Sequence, residues 1–182
     1  MKPSFARGFV LAVGLAALGV AEAGNPKHYR QWLVDTFDDK SGAFAVTVND
    51  SNAVFGEACF LSDQQCQWRV VIDVACEKGH TYPILANTDS GAASLEFICD
   101  GPRSGGEYTY VFNNWKVLES LLKTATRVGF AMPMQGDQFT VYRFNLDGAN
   151  AATEYLESTF FAATQHDKKK TTPSRDTATQ SL

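Results

Sequence analysis

Four cysteines are the residues of this 182-residue chain whose type and spacing most directly suggest chemistry. Cys59, Cys66, Cys76 and Cys99 lie within a single stretch of β-type sequence. Their spacing includes no Cys-x-x-Cys pair and the histidines are scattered, which disfavours a zinc site. A redox-active pair usually lies at the N-terminus of a helix, whereas these cysteines lie in predicted strands. The pattern therefore favours structural disulfides.

The positions of the turns favour one pairing among those that four cysteines allow. Cys59 and Cys66 flank a short polar connection and can face each other across a hairpin. A three-strand meander would bring Cys76 and Cys99 to the same end of the sheet. We therefore predict the pairs Cys59–Cys66 and Cys76–Cys99, in which the larger loop contributes about 3 kcal/mol to stability and the smaller loop less.

Catalytic motifs give no support to an enzyme. The sequence contains no Gly-x-Ser-x-Gly elbow, no phosphate-binding loop and no dinucleotide fingerprint. Asp35, Asp38 and Asp39 do not follow the order of a calcium-binding loop. Asp73 and Glu96 lie on predicted strands and could act as paired carboxylates in glycoside hydrolysis, although isolated acids on a half-exposed sheet are commoner. We therefore predict no catalytic residue, no metal and no cofactor.

Candidate binding residues lie beside and beyond the cysteines. Arg103 stands in the glycine-rich loop Asp100–Gly106, and an exposed arginine on a loop is a typical contact residue, although it could equally be a solvated loop tip. Trp68, Tyr108 and Tyr110 are aromatic residues on neighbouring predicted strands, and such residues serve binding surfaces as well as cores. We predict these four side chains as the binding residues.

A β-rich domain must position these residues. Turn sequences separate roughly eight or nine short segments with alternating or continuous apolar residues. The predicted strands are 29–36, 43–48, 53–60, 67–75, 80–86, 92–99, 107–112, 127–134 and 138–146.

Gly56 indicates a bulge or close packing, and Pro83 an edge position or a bulge. With helices predicted after Asn113 or Asn114 and after Asp147, the fold class is mostly β. We expect a small antiparallel β-sandwich or open barrel, stapled by disulfides, with one or two covering helices.

The N-terminal segment 1–23 has the features of a secretory signal peptide. Lys2 and Arg7 precede the apolar run Phe9–Val20, and Ala21–Ala23 has the small-x-small cleavage pattern. The run is too short to span a bilayer comfortably. We therefore predict a periplasmic or secreted protein that is not an integral membrane protein after cleavage.

The rest of the chain divides into one domain and a tail. Residues 24–164 have the size of a single β-rich domain, and residues 165–182 are predicted to be a disordered polar tail. The net charge is −4 and no basic stripe occurs, which argues against nucleic acid as a partner. The expected partner is an unknown protein or envelope component.

Three segments resemble the invasion-associated locus B family of exported bacterial proteins. They are Gln31–Val34, Leu118–Leu122 together with Arg127–Pro133, and Phe144–Ala152. The arrangement from Cys59 to Cys99 departs from the family pattern. The resemblance implies a β-sandwich in the periplasm or at the cell surface, linked to the envelope or to host interaction, and it offers no catalytic residues.

The leading functional hypothesis is an exported, non-enzymatic envelope-accessory or binding protein, for which the resemblance implies an invasion-associated host interaction. The alternative is a secreted inhibitor of a host or competitor enzyme such as lysozyme, because a rigid disulfide-bonded β protein can present a loop at low entropic cost. A third hypothesis, a glycan hydrolase, would use Glu96 or Asp73.

Overall fold

The computed structural model describes residues 26–171 apart from residues 135 and 137. The predicted signal peptide and residues 172–182 of the predicted tail lie outside this range. The C-terminal helix continues to Thr171, past the predicted domain end at residue 164. The elements in chain order are β1 (Lys27–Tyr29), β2 (Trp32–Thr36), β3 (Gly42–Val48), β4 (Val54–Phe60), β5 (Gln65–Ile72), β6 (Thr81–Thr88), β7 (Ala92–Pro102), β8 (Tyr108–Phe112), α1 (Trp115–Leu122), β9 (Arg127–Pro133), β10 (Phe139–Asn145) and α2 (Ala149–Thr171).

All ten strands belong to one antiparallel sheet in the order β1-β2-β3-β4-β5-β8-β7-β6-β9-β10. The sheet curls back on itself, because the ring of Phe55 on β4 lies 5.0 Å from that of Phe130 on β9 and 5.3 Å from that of Phe144 on β10. The indole N–H of Trp32 donates to the carbonyl of Asn145 at 3.1 Å and joins β2 to the end of β10. The predicted mostly β fold is therefore confirmed, as one open, curled sheet.

Large aromatic residues fill the space inside the curl. Trp32, Phe55, Phe97, Tyr110 and Phe130 are fully buried there. Burial of such a side chain contributes roughly 1.5–3 kcal/mol. The alternation of side chains along each strand points these residues to the same face of the sheet.

Two helices cover parts of the sheet, as predicted. Helix α2 packs on β1 to β4, and helix α1 packs on β6 and β7. Leu156 of α2 and Leu118 of α1 are fully buried at these contacts. Within the described residues, neither helix combines the length and apolarity needed to cross a membrane.

Both predicted disulfides are confirmed. Cys59 and Cys66 are direct cross-strand partners on β4 and β5, with Cα atoms 3.9 Å apart. Cys76 and Cys99 are bonded with Cα atoms 6.0 Å apart. The predicted meander was only partly right, because β8 lies between β5 and β7 in the sheet. Cys76 reaches Cys99 from the connection that follows β5.

Two predicted boundaries were wrong. The single strand expected over 29–36 is a hairpin, in which Tyr29 pairs with Trp32 and Arg30 takes a φ of 54°. No glycine or asparagine marks this turn in the sequence. The loop expected over Asp100–Gly106 is shorter, because β7 continues to Pro102 through an irregularity after Cys99.

The structure explains how Pro83 and Gly56 are accommodated on strands. Pro83 lies on an internal strand, but β6 pairs with β9 only over Leu85–Thr88, so one side of the strand is open at Pro83. Gly56 reflects close packing and not a bulge. A Cβ atom there would lie 2.0 Å from the carbonyl oxygen of Ala45, while the register between β3 and β4 is regular.

Candidate functional site

Strand β4 positions two candidate sites, because its successive side chains point to opposite faces of the sheet. Phe55, Glu57 and Cys59 point inward, and Gly56 and Ala58 point outward. The small outward residues leave a depression on the outer face, which we call the outer groove. The inward glutamate lies beside a second depression beneath the helices, which we call the acidic cavity.

The outer groove has an apolar floor and aromatic walls. Its volume is about 490 Å³, and it crosses β2, β3, β4, β5 and β8. The ring of Phe37 lies 5.2 Å from that of Phe44 and 5.4 Å from that of Phe60. Rigid aromatic walls of this kind suit the packing of a partner's side chains.

Two arginines contribute positive charge to the outer groove. The guanidinium of Arg69 donates to Asp100 at 2.8 Å and to Gln67 at 2.9 Å, and it lies 4.5 Å from the centre of the Phe60 ring. Arg103 is exposed, and its side chain forms no ion pair or hydrogen bond within the described part of the chain. Arg103 is therefore a free cation at the groove.

Acidic residues occupy the other side of the outer groove. Asp35 lies on β2 and Asp38 follows that strand, whereas Arg103 lies on the connection between β7 and β8. Four strand-to-strand steps separate β2 from β8, which corresponds to roughly 19 Å along the sheet. Glu107, beside Arg103, also lines the groove, so the acidic side at Asp35 and Asp38 lies opposite a side of mixed charge on which Arg103 is a free cation.

The four predicted binding residues are not brought together. Arg103 lines the outer groove. Tyr110 is fully buried, its hydroxyl donates to the Val74 carbonyl at 3.0 Å, and burial raises its pKa to about 12. Tyr108 is half-buried and packs against the core. Trp68 is buried and only its indole edge reaches the acidic cavity. The alternation of inward residues on β5 and β8 explains why these three aromatics belong to the core.

The acidic cavity lies between β4, α1 and α2 and has a volume of about 510 Å³. Carboxylate oxygens of Glu57, Glu119 and Glu157 lie within 4.8 Å of one another. Glu119 also accepts the indole N–H of Trp68 at 3.3 Å. The three acids come from a strand and two helices that are distant in the sequence.

Glu57 is the buried member of this cluster. It is 3% exposed, and its Oε2 atom has no hydrogen-bond partner. Burial, followed by the charges of Glu157 and Glu119, raises the pKa of Glu57 to about 8. Burial and then the charge of Glu119 also raise the pKa of Glu157. The arrangement therefore makes ionisation of all three carboxyl groups unfavourable unless a proton or a cation lies between them.

The acids that the sequence suggested for hydrolysis have separate partners. Asp73 accepts a hydrogen bond from the hydroxyl of Tyr142, and Glu96 accepts one from the side chain of Asn113 at 2.9 Å. Glu57, Glu119 and Glu157 were not predicted from the sequence. One available signal was Glu57 itself, a charge at an inward position of a strand whose neighbours are apolar.

The chain is a curled, single-sheet β protein with two disulfides and two covering helices. A similar solved structure is that of invasion associated protein B from Bartonella henselae, with a TM-score of 0.51 and 18% identity over 75% of this chain and 98% of that chain. At 18% identity, the similarity shows a shared fold. It therefore confirms the resemblance found in the sequence as far as the fold is concerned. No family model and no curated protein sequence matches the chain.

Proposed function

We propose that this chain is an exported binding protein without catalytic activity, and that the outer groove is its binding site. The observation that carries the proposal is the free cation of Arg103 at the edge of an aromatic-walled groove. Export is supported by the N-terminal sequence pattern and by the two disulfides, which persist in oxidising compartments.

The groove suits an extended polypeptide segment of a partner protein. The free cation of Arg103 and the acids Asp35 and Asp38 lie on its two sides, roughly 19 Å apart, which corresponds to about six residues of extended chain. We expect an acidic residue of the segment near Arg103 and a basic residue near Asp35 or Asp38. Small or apolar residues between them would pack against Phe44 and the other aromatic walls.

The partner belongs to the cell envelope or to a host cell surface. The similar Bartonella protein is described as invasion associated, which supports a host-interaction role here. The alternative is inhibition of a host or competitor enzyme. A groove that encloses a partner's segment favours binding over inhibition, because an inhibitor usually inserts a protruding loop into an enzyme's cleft.

Site-specific photo-crosslinking tests the proposal. A photoreactive amino acid replaces Phe44 in the groove or, as a control, Phe139, which is 69% exposed on β10 and does not line the groove. The exported protein is incubated with envelope fractions and host-cell surfaces. We expect one crosslinked partner from position 44 and none of it from position 139. The substitution Arg103→Glu should reduce this adduct at least tenfold.

A charge reversal in the partner makes the test specific. A synthetic peptide of the crosslinked segment should compete with the partner, and replacing its acidic residue by lysine should restore binding to the Arg103→Glu variant. An adduct that forms equally from position 139, or that survives Arg103→Glu, would contradict the groove as the binding site. A partner that is a hydrolase and loses activity in the complex would replace this proposal by the inhibitor alternative.

A further inference from the structure

We propose that Glu57, Glu119 and Glu157 form a binding site for a hard divalent cation, with Ca²⁺ as the best-fitting ion. Their carboxylate oxygens lie within 4.8 Å of one another in a cavity that also has room for water. Oxygen-only donor sets of carboxylates are the ligands preferred by Ca²⁺, Mg²⁺ and Mn²⁺. This site is independent of the outer groove and lies on the opposite face of β4.

The irregular donor set favours the larger ion. Oxygens within 4.8 Å of one another can converge on either Ca²⁺ or Mg²⁺, so coordination geometry decides between them. Calcium binds oxygen at 2.3–2.6 Å and tolerates an irregular set of ligands, here from a strand and two helices. Magnesium binds at 2.0–2.1 Å and demands nearly ideal octahedral geometry.

The buried oxygen of Glu57 is the independent observation that points to a ligand. Glu57 is 3% exposed and its Oε2 atom has no hydrogen-bond partner. A buried carboxylate without a partner is costly, and a bound cation removes that cost. A proton shared between Glu57 and Glu157 is the competing arrangement, and it predicts no response to Ca²⁺.

Positive side chains nearby do not neutralise the cluster. Lys116 and Lys123 of the α1 region line the cavity, but within the described residues neither forms an ion pair with the three acids. Glu154 of α2 also lines the cavity and adds negative charge. The net potential of the cavity therefore favours a divalent cation.

An ion can reach this site and would have a structural consequence. Glu119 on α1 and Glu157 on α2 both retain solvent access, and water can complete the six to eight ligands that Ca²⁺ takes. A bound ion would fasten both covering helices to β4. Extracellular modules bind Ca²⁺ with dissociation constants of about 10⁻⁴–10⁻³ M, which suits an exported protein.

Thermal unfolding of the exported full chain tests the site. The protein is stripped with EDTA, dialysed, and measured in CaCl₂, in MgCl₂, and in NaCl of equal ionic strength. At a Ca²⁺ concentration about ten times the dissociation constant, we expect Tm to rise by roughly 3–6 °C above the NaCl control. Mg²⁺ should give a smaller rise.

Substitutions separate ion binding from general electrostatics. Glu119→Gln and Glu157→Gln should each weaken Ca²⁺ binding at least tenfold and abolish most of the Tm rise. Glu154→Gln removes the same charge from the same cavity, outside the cluster, and should leave the rise intact. Glu57→Gln should lose the response to Ca²⁺, because a neutral amide cannot supply the anionic ligand of the site.

Terbium luminescence adds a readout that does not depend on stability. Tb³⁺ is a luminescent substitute for Ca²⁺, and the indole of Trp68 contacts Glu119 at 3.3 Å. Excitation of tryptophan should sensitise Tb³⁺ emission in the unsubstituted protein, Ca²⁺ should quench it competitively, and Glu119→Gln should remove it. The proposal is overturned if Ca²⁺ at 10 mM gives no Tm rise beyond NaCl, or if Glu119→Gln and Glu157→Gln retain the full response.

Discussion

The outer groove and the acidic cavity share one strand but differ in how their charges are placed. On the outer face of β4, Gly56 and Ala58 leave space, and the free charge of Arg103 lies at the solvent-exposed edge. On the inner face, Glu57 is buried with an unpaired oxygen. Solvent screens an exposed charge, whereas a buried charge needs a partner. The groove can therefore stay empty at little cost, but the cavity requires a proton or a cation.

The largest expected effect comes from adding a side chain at Gly56, on the strand that both sites share. Gly56→Ala would place a Cβ atom 2.0 Å from the backbone oxygen of Ala45, so β3 and β4 must separate. We expect a loss of about 3 kcal/mol in the free energy of unfolding, measured by urea denaturation, together with weaker groove crosslinking and a weaker Ca²⁺ response.

Gly129→Ala is the matched control for that substitution. A Cβ atom there would lie 3.5 Å from the Val141 side chain, an ordinary contact on strand β9. Its effect should stay within about 0.5 kcal/mol. If the two alanine substitutions lower the free energy of unfolding equally, the backbones of β3 and β4 are not packed unusually closely at Gly56.

The next largest expected effect comes from removing a disulfide. Cys59, in one of the two disulfides, is the last inward-pointing residue of β4. In the chain-entropy model, the Cys76–Cys99 bridge, with a separation of 23 residues, contributes about 3 kcal/mol, and the Cys59–Cys66 bridge, with a separation of 7, about 2 kcal/mol. Paired alanine variants measured by urea denaturation should follow this order. The reverse order would mean that the β4–β5 ladder beneath both sites depends on its bridge.

A smaller effect separates the two sites functionally. Arg103→Glu should weaken groove crosslinking about tenfold, which corresponds to about 1.4 kcal/mol, and leave the Ca²⁺ response unchanged. Glu119→Gln should do the opposite. If either variant impairs both readouts, the two faces of β4 are coupled and the independence of the sites is wrong.

The smallest expected effect concerns Asp89. Its ionised form is stabilised by the fold, whereas the ionised form of Glu57 is destabilised by burial. Asp89, in the turn between β6 and β7, accepts hydrogen bonds from the side chain and the backbone N–H of Thr126 at 2.6 and 2.9 Å, and these bonds lower its pKa below 3.8. A lowered folded-state pKa stabilises the protein above the ordinary value, and this contribution is lost as pH falls through the lowered value.

Asp89→Asn should therefore lower Tm slightly at pH 7, and the difference from the unsubstituted protein should shrink towards pH 2. Asp50→Asn, in another exposed turn, serves as the control for the loss of a surface carboxylate. A difference between Asp89→Asn and the unsubstituted protein that is constant from pH 7 to pH 2 would rule out the ionised hydrogen bond as its source.

Local pattern was enough to predict much of the fold. Cys59 and Cys66 flank a short polar connection, so their pairing followed from hairpin geometry alone. The hairpin of β1 and β2 was missed because its turn, at Arg30, lacks the usual turn residues. The place of β8 between β5 and β7 was missed because the meander assumption joins strands in chain order.

The candidate sites were harder to predict than the strands. Arg103 was identified because it is an exposed charge on a loop, which is a local property. The aromatics Trp68 and Tyr110 were assigned to binding, yet both are buried. Composition cannot distinguish a core aromatic from a surface one, since only the direction of curl decides which face of the sheet is enclosed.

By itself, the sequence determined that this protein is β-rich, and it favoured the cysteine pairing that the structure confirms. These properties depend on turns and on the alternation of neighbouring side chains, which act over a few residues. Only the tertiary structure decided that Glu57 lies beside Glu119 and Glu157, and that Arg103 and Asp35 line one groove. Both arrangements bring together distant elements of a curled sheet and its helices, so no short segment of the chain contains them.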